Sequence, residues 1–205
     1  MPALITIAGL CLFAYLVGSI PFSFLVAKSR GVDLRKVGSG NTGASNVWRN
    51  CGFPAFLVAL ALDMTKGFVP TWVAYRLVQV APVPVLIVGV VAMLGHMLPI
   101  FLRFRGGKAV ATAAGVLLAL NPWLVLLAAV LWSAVYKLKG YPSLASMVST
   151  FLTALAGTWM ALTQNFPVAF AAFIWVALVV VVYMHRANIQ RLLRGQELGI
   201  GPRTK

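Results

Sequence analysis

Long apolar segments separated by short polar ones constrain this chain more than any other feature. The first extends from about Ala3 to Ala27, and a helix needs roughly 20 apolar residues to cross a hydrocarbon core. A mean hydropathy of +0.93 with only 10% charged residues excludes the surface of an ordinary water-soluble protein. We therefore predict an all-α, polytopic membrane protein, with residues 1–205 forming one domain.

The apolar segments predict seven transmembrane helices. Their approximate bounds are Ala3–Ala27, Phe53–Leu77, Val85–Leu102, Ala109–Leu120, Pro122–Tyr136, Pro142–Leu162 and Phe166–Met184. The two short ones come from dividing 109–136 at Asn121-Pro122, because proline interrupts a helix. The residues Thr163-Gln164-Asn165 are predicted to form an uncharged turn. No basic region precedes the first segment, so we predict a retained helix rather than a cleaved signal peptide.

Positive charge sets the predicted orientation. The chain has 17 Lys and Arg against 3 acidic residues, a net charge of +14. All of these cations except Lys66 and Arg76 fall on one side of the predicted topology or at its boundary. The positive-inside rule makes that side cytoplasmic, with the N-terminus outside and the C-terminus in the cytoplasm. A nucleic-acid-binding protein would instead carry its cations on one face of a soluble module, so no nucleic-acid partner is predicted.

The stretch Val37–Asn50 is the longest run of small polar residues and glycines. Its residues with possible anion-binding roles are Gly38, Ser39, Gly40, Asn41, Thr42, Gly43, Ser45, Asn46 and Arg49. Glycines can bring successive N–H groups onto one anion, and the guanidinium fork fits phosphate. The pattern favours a phosphate-binding loop over the alternative, a flexible connection between two helices.

Two charged residues lie inside the second predicted span. Asp63 and Lys66 are three residues apart, and therefore on one face of a helix, where opposite charges reduce the cost of burial. A structural ion pair and a direct role in substrate binding both fit this spacing.

The third span leads into a second anion-binding pattern. His96 lies near its end, and Gly106-Gly107-Lys108 precedes a predicted helix that carries Thr112. Free N–H groups, a helix N-terminus and a mobile ammonium are typical of an anion site. The alternative is a basic loop at lipid headgroups, and a lone intramembrane histidine is more often structural than catalytic.

Two further patterns lie near the predicted cytoplasmic ends of the last spans. Ser143 begins the sixth span, where helix capping alone would explain a serine. His185, Asn188 and Arg191 recur every three residues and Glu197 follows, a pattern that also fits an interfacial helix. The three acidic residues are too few and too scattered for a magnesium site, so no metal or other cofactor is predicted.

These motifs together resemble the bacterial acyl-phosphate-dependent glycerol-3-phosphate acyltransferases. The resemblance spans nearly the whole chain and rests on Gly38–Arg49, Asp63–Gly67, Gly95-His96, Gly106–Thr112, Ser143–Ser146 and His185–Leu192. Ala109 departs from the family pattern, which commonly has glycine there, and Ser45 replaces a common threonine. The loss of glycine puts the shape of the Gly-Gly-Lys loop in question.

The resemblance implies transfer of a fatty acyl group from acyl phosphate to the sn-1 hydroxyl of glycerol 3-phosphate at the bacterial inner membrane. Ser39, Arg49 and Lys108 are expected to hold one phosphate, and Asn188, His185 and Ser143 to place the other substrate. The base is His185, His96 or an oxygen of the acyl phosphate. A transient contact with the enzyme that makes acyl phosphate is also expected. The alternatives are an anion transporter and an acyltransferase using acyl-CoA or acyl carrier protein.

Overall fold

The computed structural model describes residues 2–163 and 166–200, and this part of the chain is helical without a β-strand. The α-helices are α1 (Pro2–Ser19), α2 (Phe22–Lys28), α3 (Ala44–Cys51), α4 (Phe53–Trp72), α5 (Pro82–Met97), α6 (Val110–Leu120), α7 (Pro122–Lys139), α8 (Pro142–Thr163), α9 (Val168–Met184) and α10 (Arg186–Leu193). A π-helical turn, Val73–Leu77, continues α4, and a 3₁₀ turn, Ile100–Leu102, follows α5. The all-α prediction is confirmed.

Five helical segments within the described residues are long and apolar enough to cross a membrane. They are Ala3–Lys28, Phe53–Leu77, Pro82–Leu102, Pro122–Lys139 and Pro142–Thr163. A sixth results if α9 and α10 form one span bent by 59°. Helix α6 is also apolar but has only 11 residues. The fold is thus that of a multi-pass membrane protein.

The predicted helix boundaries are confirmed in one place and corrected in others. Helix α6 ends at Leu120, and the Asn121 side chain accepts hydrogen bonds from the N–H groups of Trp123 and Leu124, which caps α7. The first predicted span agrees with the candidate span Ala3–Lys28, but it consists of two helices, α1 and α2, separated by a break at Ile20-Pro21. The second half of Val37–Asn50 is helix α3, which the sequence pattern did not predict. Thr163 ends α8, and residues 164–165 of the predicted turn lie outside the described residues.

The centre of the bundle depends on close contact between α4 and α6. A Cβ at Gly67 would overlap the carbonyl oxygen of Thr112, and a Cβ at Gly115 would overlap that of Met64. Small residues at helix contacts are common in membranes, where van der Waals contact replaces the hydrophobic driving force. This contact fixes the N-terminal end of α6 relative to Asp63 and Lys66 on α4.

Replacing Gly115 with alanine is expected to destabilise the protein. The added methyl group must push α6 away from α4, and such overpacking costs about 1–3 kcal/mol. Thermal unfolding in detergent measures the effect as a lower Tm. Gly9→Ala is the matched control, because a Cβ there meets nothing within 4 Å. Equal Tm values for the two variants would contradict the close packing.

Candidate active site

Four of the patterns found in the sequence come together in the fold: the Val37–Asn50 loop, the Gly-Gly-Lys turn, Ser143 and the segment from His185 to Glu197. Arg49 of α3 donates hydrogen bonds to the carbonyl oxygens of Leu198 (2.8 Å) and Gly199 (2.9 Å). Lys108, before α6, donates to the side-chain oxygen of Asn188 on α10. Ser143, at the start of α8, donates to Glu197 at 2.8 Å. Segments more than 50 residues apart in sequence therefore form one polar cluster.

A cavity of about 580 Å³ opens beside this cluster, within the range of small-molecule sites. The predicted site residues that line it are Ser39, Asn41, Gly43, Asn46, Arg49, His96, Lys108, Ser143, His185 and Asn188. A second, much smaller cavity is lined by Thr42, Lys66, His96, Gly106 and Gly107 among other residues. The remaining predicted residues, Gly38, Gly40, Thr112 and Glu197, line neither cavity.

The loop before α3 is held in shape by Asn46, which is 1% exposed. Its side-chain NH₂ donates to the carbonyl oxygens of Leu34, Val37 and Asn41, at 3.0–3.1 Å. Its Oδ1 accepts the backbone N–H of Ser39 at 3.1 Å. With the amide occupied in this way, Asn46 positions the loop and holds Ser39 where it lines the cavity. Sequence spacing could not separate this role from phosphate binding.

Two glycines let this loop turn tightly. Gly38 and Gly40 have φ values of +57° and +69°, a region that disfavours other residues. Both glycines thus have a conformational role besides the predicted binding of phosphate through their N–H groups. Neither lines the cavity, whereas Ser39 between them does.

Lys108 lies in the turn that starts α6. The next residue, Ala109, has φ +59°, ψ +14°, a left-handed conformation that costs a non-glycine residue about 1–2 kcal/mol. Glycine, which the family commonly has at this position, would adopt the conformation without that cost. Alanine here therefore adds strain but keeps the shape of the loop. Burial, together with the nearby cations Arg191 and Arg49, lowers the pKa of Lys108 to about 8. Its ammonium is therefore charged at neutral pH and is poorly solvated, a state that favours binding an anion.

This pKa predicts how anion binding depends on pH. Lys108 is charged below about pH 8 and loses its proton above it, so the Kd for a phosphorylated ligand should rise as the pH increases through that value. Titration calorimetry with glycerol 3-phosphate, over a pH series, measures the change. In Lys108→Arg the charge persists, because a guanidinium stays protonated throughout this pH range. An identical pH profile in this variant would exclude Lys108 as the titrating group.

Glu197 organises the chain after α10. Its carboxylate accepts hydrogen bonds from Ser143 (2.8 Å), Asn188 (2.6 Å) and Arg191 (2.9 Å). Burial acts to raise the pKa of Glu197, and these three donors outweigh that effect and lower it. A carboxylate with its lone pairs occupied in this way is poorly placed to bind a substrate hydroxyl. Its geometry makes Glu197 a residue that fixes Asn188 and Ser143 beside the cavity.

Arg49 connects this C-terminal segment to the loop before α3. Its Nε and Nη2 groups donate to Gly199 and Leu198, whereas Nη1 makes no hydrogen bond within residues 2–163 and 166–200. Burial lowers the pKa of Arg49, although a guanidinium stays charged at neutral pH. Arg49 can therefore hold the C-terminal segment and still offer donors to an anion in the cavity.

A buried ion pair lies deeper in the bundle. Lys66 Nζ is 2.9 Å from Asp63 Oδ1, and both side chains are 1% exposed. The Ser23 hydroxyl donates to the other Asp63 oxygen at 2.5 Å, and Lys66 also contacts His96 Nδ1 at 2.8 Å. The predicted pairing of Asp63 and Lys66 is confirmed. Thr112, predicted to bind substrate, donates instead to the Asp63 carbonyl oxygen, which links α6 to α4.

Beyond the polar cluster the cavity is lined by apolar side chains from several helices, a part that we name the apolar branch and that the sequence motifs did not predict. The apolar and aromatic residues of this lining include Phe56, Leu60, Met64, Ala113, Leu117, Val125, Ala128, Trp132, Tyr136, Ile174 and Ala177. The Trp48 ring stacks on Phe56 and packs against Tyr136, so α3, α4 and α7 form one aromatic wall. Apolar lining residues look like ordinary core in a membrane sequence, and only the fold shows that they surround a space.

The described residues contain no group of three or more His, Cys, Asp and Glu side chains that could hold a metal ion. Asp33 pairs with Arg35, Asp63 with Lys66, and Glu197 with Arg191. Each carboxylate thus already has a cationic partner. The cavity therefore provides hydroxyl, amide and cationic donors that can bind an anion, next to a space lined by apolar side chains.

Known proteins have similar sequences and a similar arrangement of helices. Residues 8–195 match the family Glycerol-3-phosphate acyltransferase. A glycerol-3-phosphate acyltransferase of Roseiflexus sp. (strain RS-1) is 47% identical over 197 residues, covering 96% of both chains. That of Aquifex aeolicus (strain VF5) is 40% identical over 188 residues, covering 92% of this chain and 96% of the relative. The chain belongs to this family.

Two solved structures of one glycerol-3-phosphate acyltransferase have the same fold. They are crystal structures of PlsY (YgiH), an integral membrane enzyme, in a glycerol 3-phosphate form (TM-score 0.88, 39% identity) and a lysophosphatidic acid form (TM-score 0.86, 38% identity). Each alignment covers 96% of both chains. This protein is accordingly an acyltransferase of lipid biosynthesis, and the family resemblance predicted from the sequence is confirmed.

Proposed function

We propose that this glycerol-3-phosphate acyltransferase moves a fatty acyl group from acyl phosphate to the sn-1 hydroxyl of glycerol 3-phosphate. The products are lysophosphatidic acid and phosphate, in the first step of bacterial phospholipid synthesis. The observation that carries the proposal is one cavity with a cationic, hydroxyl-rich mouth and an apolar branch. Such a cavity fits a phosphorylated polar acceptor beside a long acyl chain. Relatives whose structures have glycerol 3-phosphate and lysophosphatidic acid forms support the choice of acceptor and product.

The residues at the mouth of the cavity fit the charge of two phosphorylated substrates. The phosphate group of each substrate carries nearly two negative charges near neutral pH, since a second phosphate pKa is about 6. In this proposal Ser39, Arg49 and Lys108 hold one phosphate, and Asn188, His185 and Ser143 place the other substrate. The positive charges of Arg49 and Lys108 reduce the repulsion between the two phosphate groups, so that the reacting atoms can approach each other.

Acyl phosphate is the proposed donor because it is a mixed anhydride with phosphate as a good leaving group. The acceptor hydroxyl can attack the acyl carbon directly, and no serine or cysteine need be acylated first. The acyl chain would lie in the apolar branch, where Phe56 and Trp132 are among the lining residues. Lipid in the surrounding membrane would adjoin the exposed outer surface of α7.

The proposed topology has seven spans, with the N-terminus outside and the C-terminus in the cytoplasm. It counts α6 as a short crossing and α9 as the last span. The active site then faces the cytoplasm of the bacterial inner membrane, where soluble glycerol 3-phosphate and an enzyme that makes acyl phosphate could reach it. Residues 1–205 form one catalytic domain that needs no cofactor. Cysteine-accessibility labelling of Lys139→Cys in sealed, right-side-out vesicles tests the orientation: labelling from outside would contradict it.

Donor choice separates this proposal from an acyl-CoA or acyl carrier protein enzyme. The purified protein in lipid is given glycerol 3-phosphate with palmitoyl phosphate, palmitoyl-CoA or palmitoyl-acyl carrier protein, and lysophosphatidic acid is measured. We expect lysophosphatidic acid to form with palmitoyl phosphate and with neither of the other donors. The position of the acyl group on the product reports sn-1 specificity. Turnover only with a thioester donor would overturn the donor assignment, and no turnover by folded protein would favour an anion transporter.

A further inference from the structure

The two histidines of the chain contact the site in chemically different ways. His96, at the end of α5, and His185, after α9, both line the large cavity, and each is under 8% exposed. A neutral imidazole carries one ring proton, and the partner of Nδ1 determines whether Nε2 is a donor or an acceptor. The Nδ1 atoms of these two residues have partners of opposite kinds.

His185 is bound through Nδ1 to a backbone carbonyl. Nδ1 lies 2.7 Å from the carbonyl oxygen of Val181, and because this oxygen can only accept, Nδ1 must carry the proton. Burial and the nearby Lys108 ammonium lower the pKa of His185 to about 4, so the ring is neutral at neutral pH. Its Nε2 is therefore unprotonated, with a free lone pair and no hydrogen-bond partner in the described part of the chain.

His96 is bound through Nδ1 to an ammonium group. Lys66 Nζ lies 2.9 Å from the Asp63 carboxylate and donates to the Ile20 carbonyl oxygen at 2.9 Å and to His96 Nδ1 at 2.8 Å. The buried carboxylate requires a charged partner, and an ammonium has no lone pair with which to accept. Nδ1 of His96 must therefore accept, which places the ring proton on Nε2.

The Gly-Gly-Lys loop lies directly against the Nε2 side of His96. A Cβ at position 107 would overlap Nε2, and the backbone N–H of Gly107 donates to the His96 carbonyl oxygen at 3.2 Å. Glycine at this position thus leaves space beside Nε2 that any other side chain would fill, and the same loop is hydrogen-bonded to the His96 backbone. Lys108 follows immediately, so the donor lies beside the cation expected to bind phosphate.

We infer that the two histidines have opposite neutral tautomers and therefore opposite roles toward the substrates. His185 accepts a hydrogen bond from the attacking hydroxyl of glycerol 3-phosphate through Nε2, and His96 donates one from Nε2–H to an oxygen of the acyl phosphate. This inference rests on the proposed function. It excludes His96 as the general base, because neither of its nitrogens has a free lone pair. Lys66 and Asp63 are positioning residues that set the tautomer of His96 and do not touch the substrate.

Nitrogen NMR tests the tautomers without an activity measurement. The wild-type protein, ¹⁵N-labelled at histidine and purified with a histidine-free tag, contains only two labelled side chains. At neutral pH we expect one ring protonated at Nδ1 and the other at Nε2. Either His96→Asn or His185→Asn assigns both rings, so only one variant must fold. The same tautomer in both rings, or a doubly protonated His96, would overturn the inference.

Two substitutions at His96 test the donor itself. In His96→Asn the side-chain oxygen can still accept from Lys66, but no donor reaches the position of Nε2. In His96→Gln the longer amide returns an N–H near that position. A hydrogen bond to a charged oxygen contributes about 1.5–3 kcal/mol, so kcat should fall about 10- to 100-fold in His96→Asn. Much of this loss should be recovered in His96→Gln.

The outcomes distinguish the tautomers from the proposed reaction. Equal kcat values for the two His96 variants, with unchanged Tm, would overturn the donor role of His96. If wild-type protein has the expected tautomers but forms no lysophosphatidic acid, the proposed function fails, and with it the substrate roles given to both histidines. If it forms lysophosphatidic acid while both rings have one tautomer, the inference fails and the proposed function stands.

Discussion

Lys108→Met is expected to reduce kcat/KM for lysophosphatidic acid formation by about 10²–10³, the range found when one donor to a developing negative charge is removed. Lys108 is buried beside the cavity, and its ammonium is hydrogen-bonded to Asn188. Methionine keeps much of the side-chain volume and removes the charge. Steady-state kinetics with palmitoyl phosphate and glycerol 3-phosphate in lipid measure the loss.

Lys139→Met is the matched control for this substitution. Lys139 is exposed at the end of α7 and does not line the cavity, so the same loss of charge there should leave kcat/KM within about twofold of wild type, as for most surface substitutions. Lys108→Arg should keep part of the activity, because it keeps the charge but changes the donor geometry. Comparable losses for Lys108→Met and Lys139→Met would show that overall charge, not the site, determines activity.

Asp63→Leu is expected to destabilise the protein by about 3–5 kcal/mol, because it leaves the buried Lys66 ammonium without its counter-charge. Both side chains are 1% exposed and lie near the middle of α4. The expected result is a large drop in Tm in detergent. Thr65→Ala, an exposed position on the same helix, should have little effect.

The double variant Asp63→Leu/Lys66→Met distinguishes a charge effect from loss of packing. Removing both charges leaves no uncompensated group, and such replacements are often neutral or stabilising. We expect the double variant to recover most of the stability lost in Asp63→Leu, while its activity stays low because His96 has lost the donor to Nδ1. A double variant as unstable as the single one would show that packing around Asp63, not charge, accounts for the loss.

Local chemistry made several features of the fold predictable from sequence. Asn121-Pro122 interrupts an apolar run with a capping residue followed by proline, and α7 begins there. The spacing of Asp63 and Lys66 was enough to predict their ion pair. Helix α3 was not predictable in this way, because Ala44–Cys51 is short and polar, and its position depends on Trp48 packing against α4 and α7.

The candidate site was predictable as a set of residues but not as a set of roles. Glycine-rich and basic patterns identified the residues around the cavity, and the orientation of the spans predicted that they would share one side. The functions of Asn46 and Glu197 depend on partners that sequence spacing does not reveal. Asn46 holds three backbone carbonyls of its own loop, and Glu197 binds Ser143, which is 54 residues away.

Direct acyl transfer within this cavity is tested most directly by following phosphate release from palmitoyl phosphate with and without glycerol 3-phosphate. Purified protein in lipid should release one phosphate for each lysophosphatidic acid formed, and none when glycerol 3-phosphate is omitted, because no enzyme nucleophile accepts the acyl group. Mass spectrometry of the protein after the incubation should find no acylated residue. A burst of phosphate without acceptor, matched by acylated protein, would contradict direct transfer, and phosphate release without lysophosphatidic acid would contradict the proposed reaction.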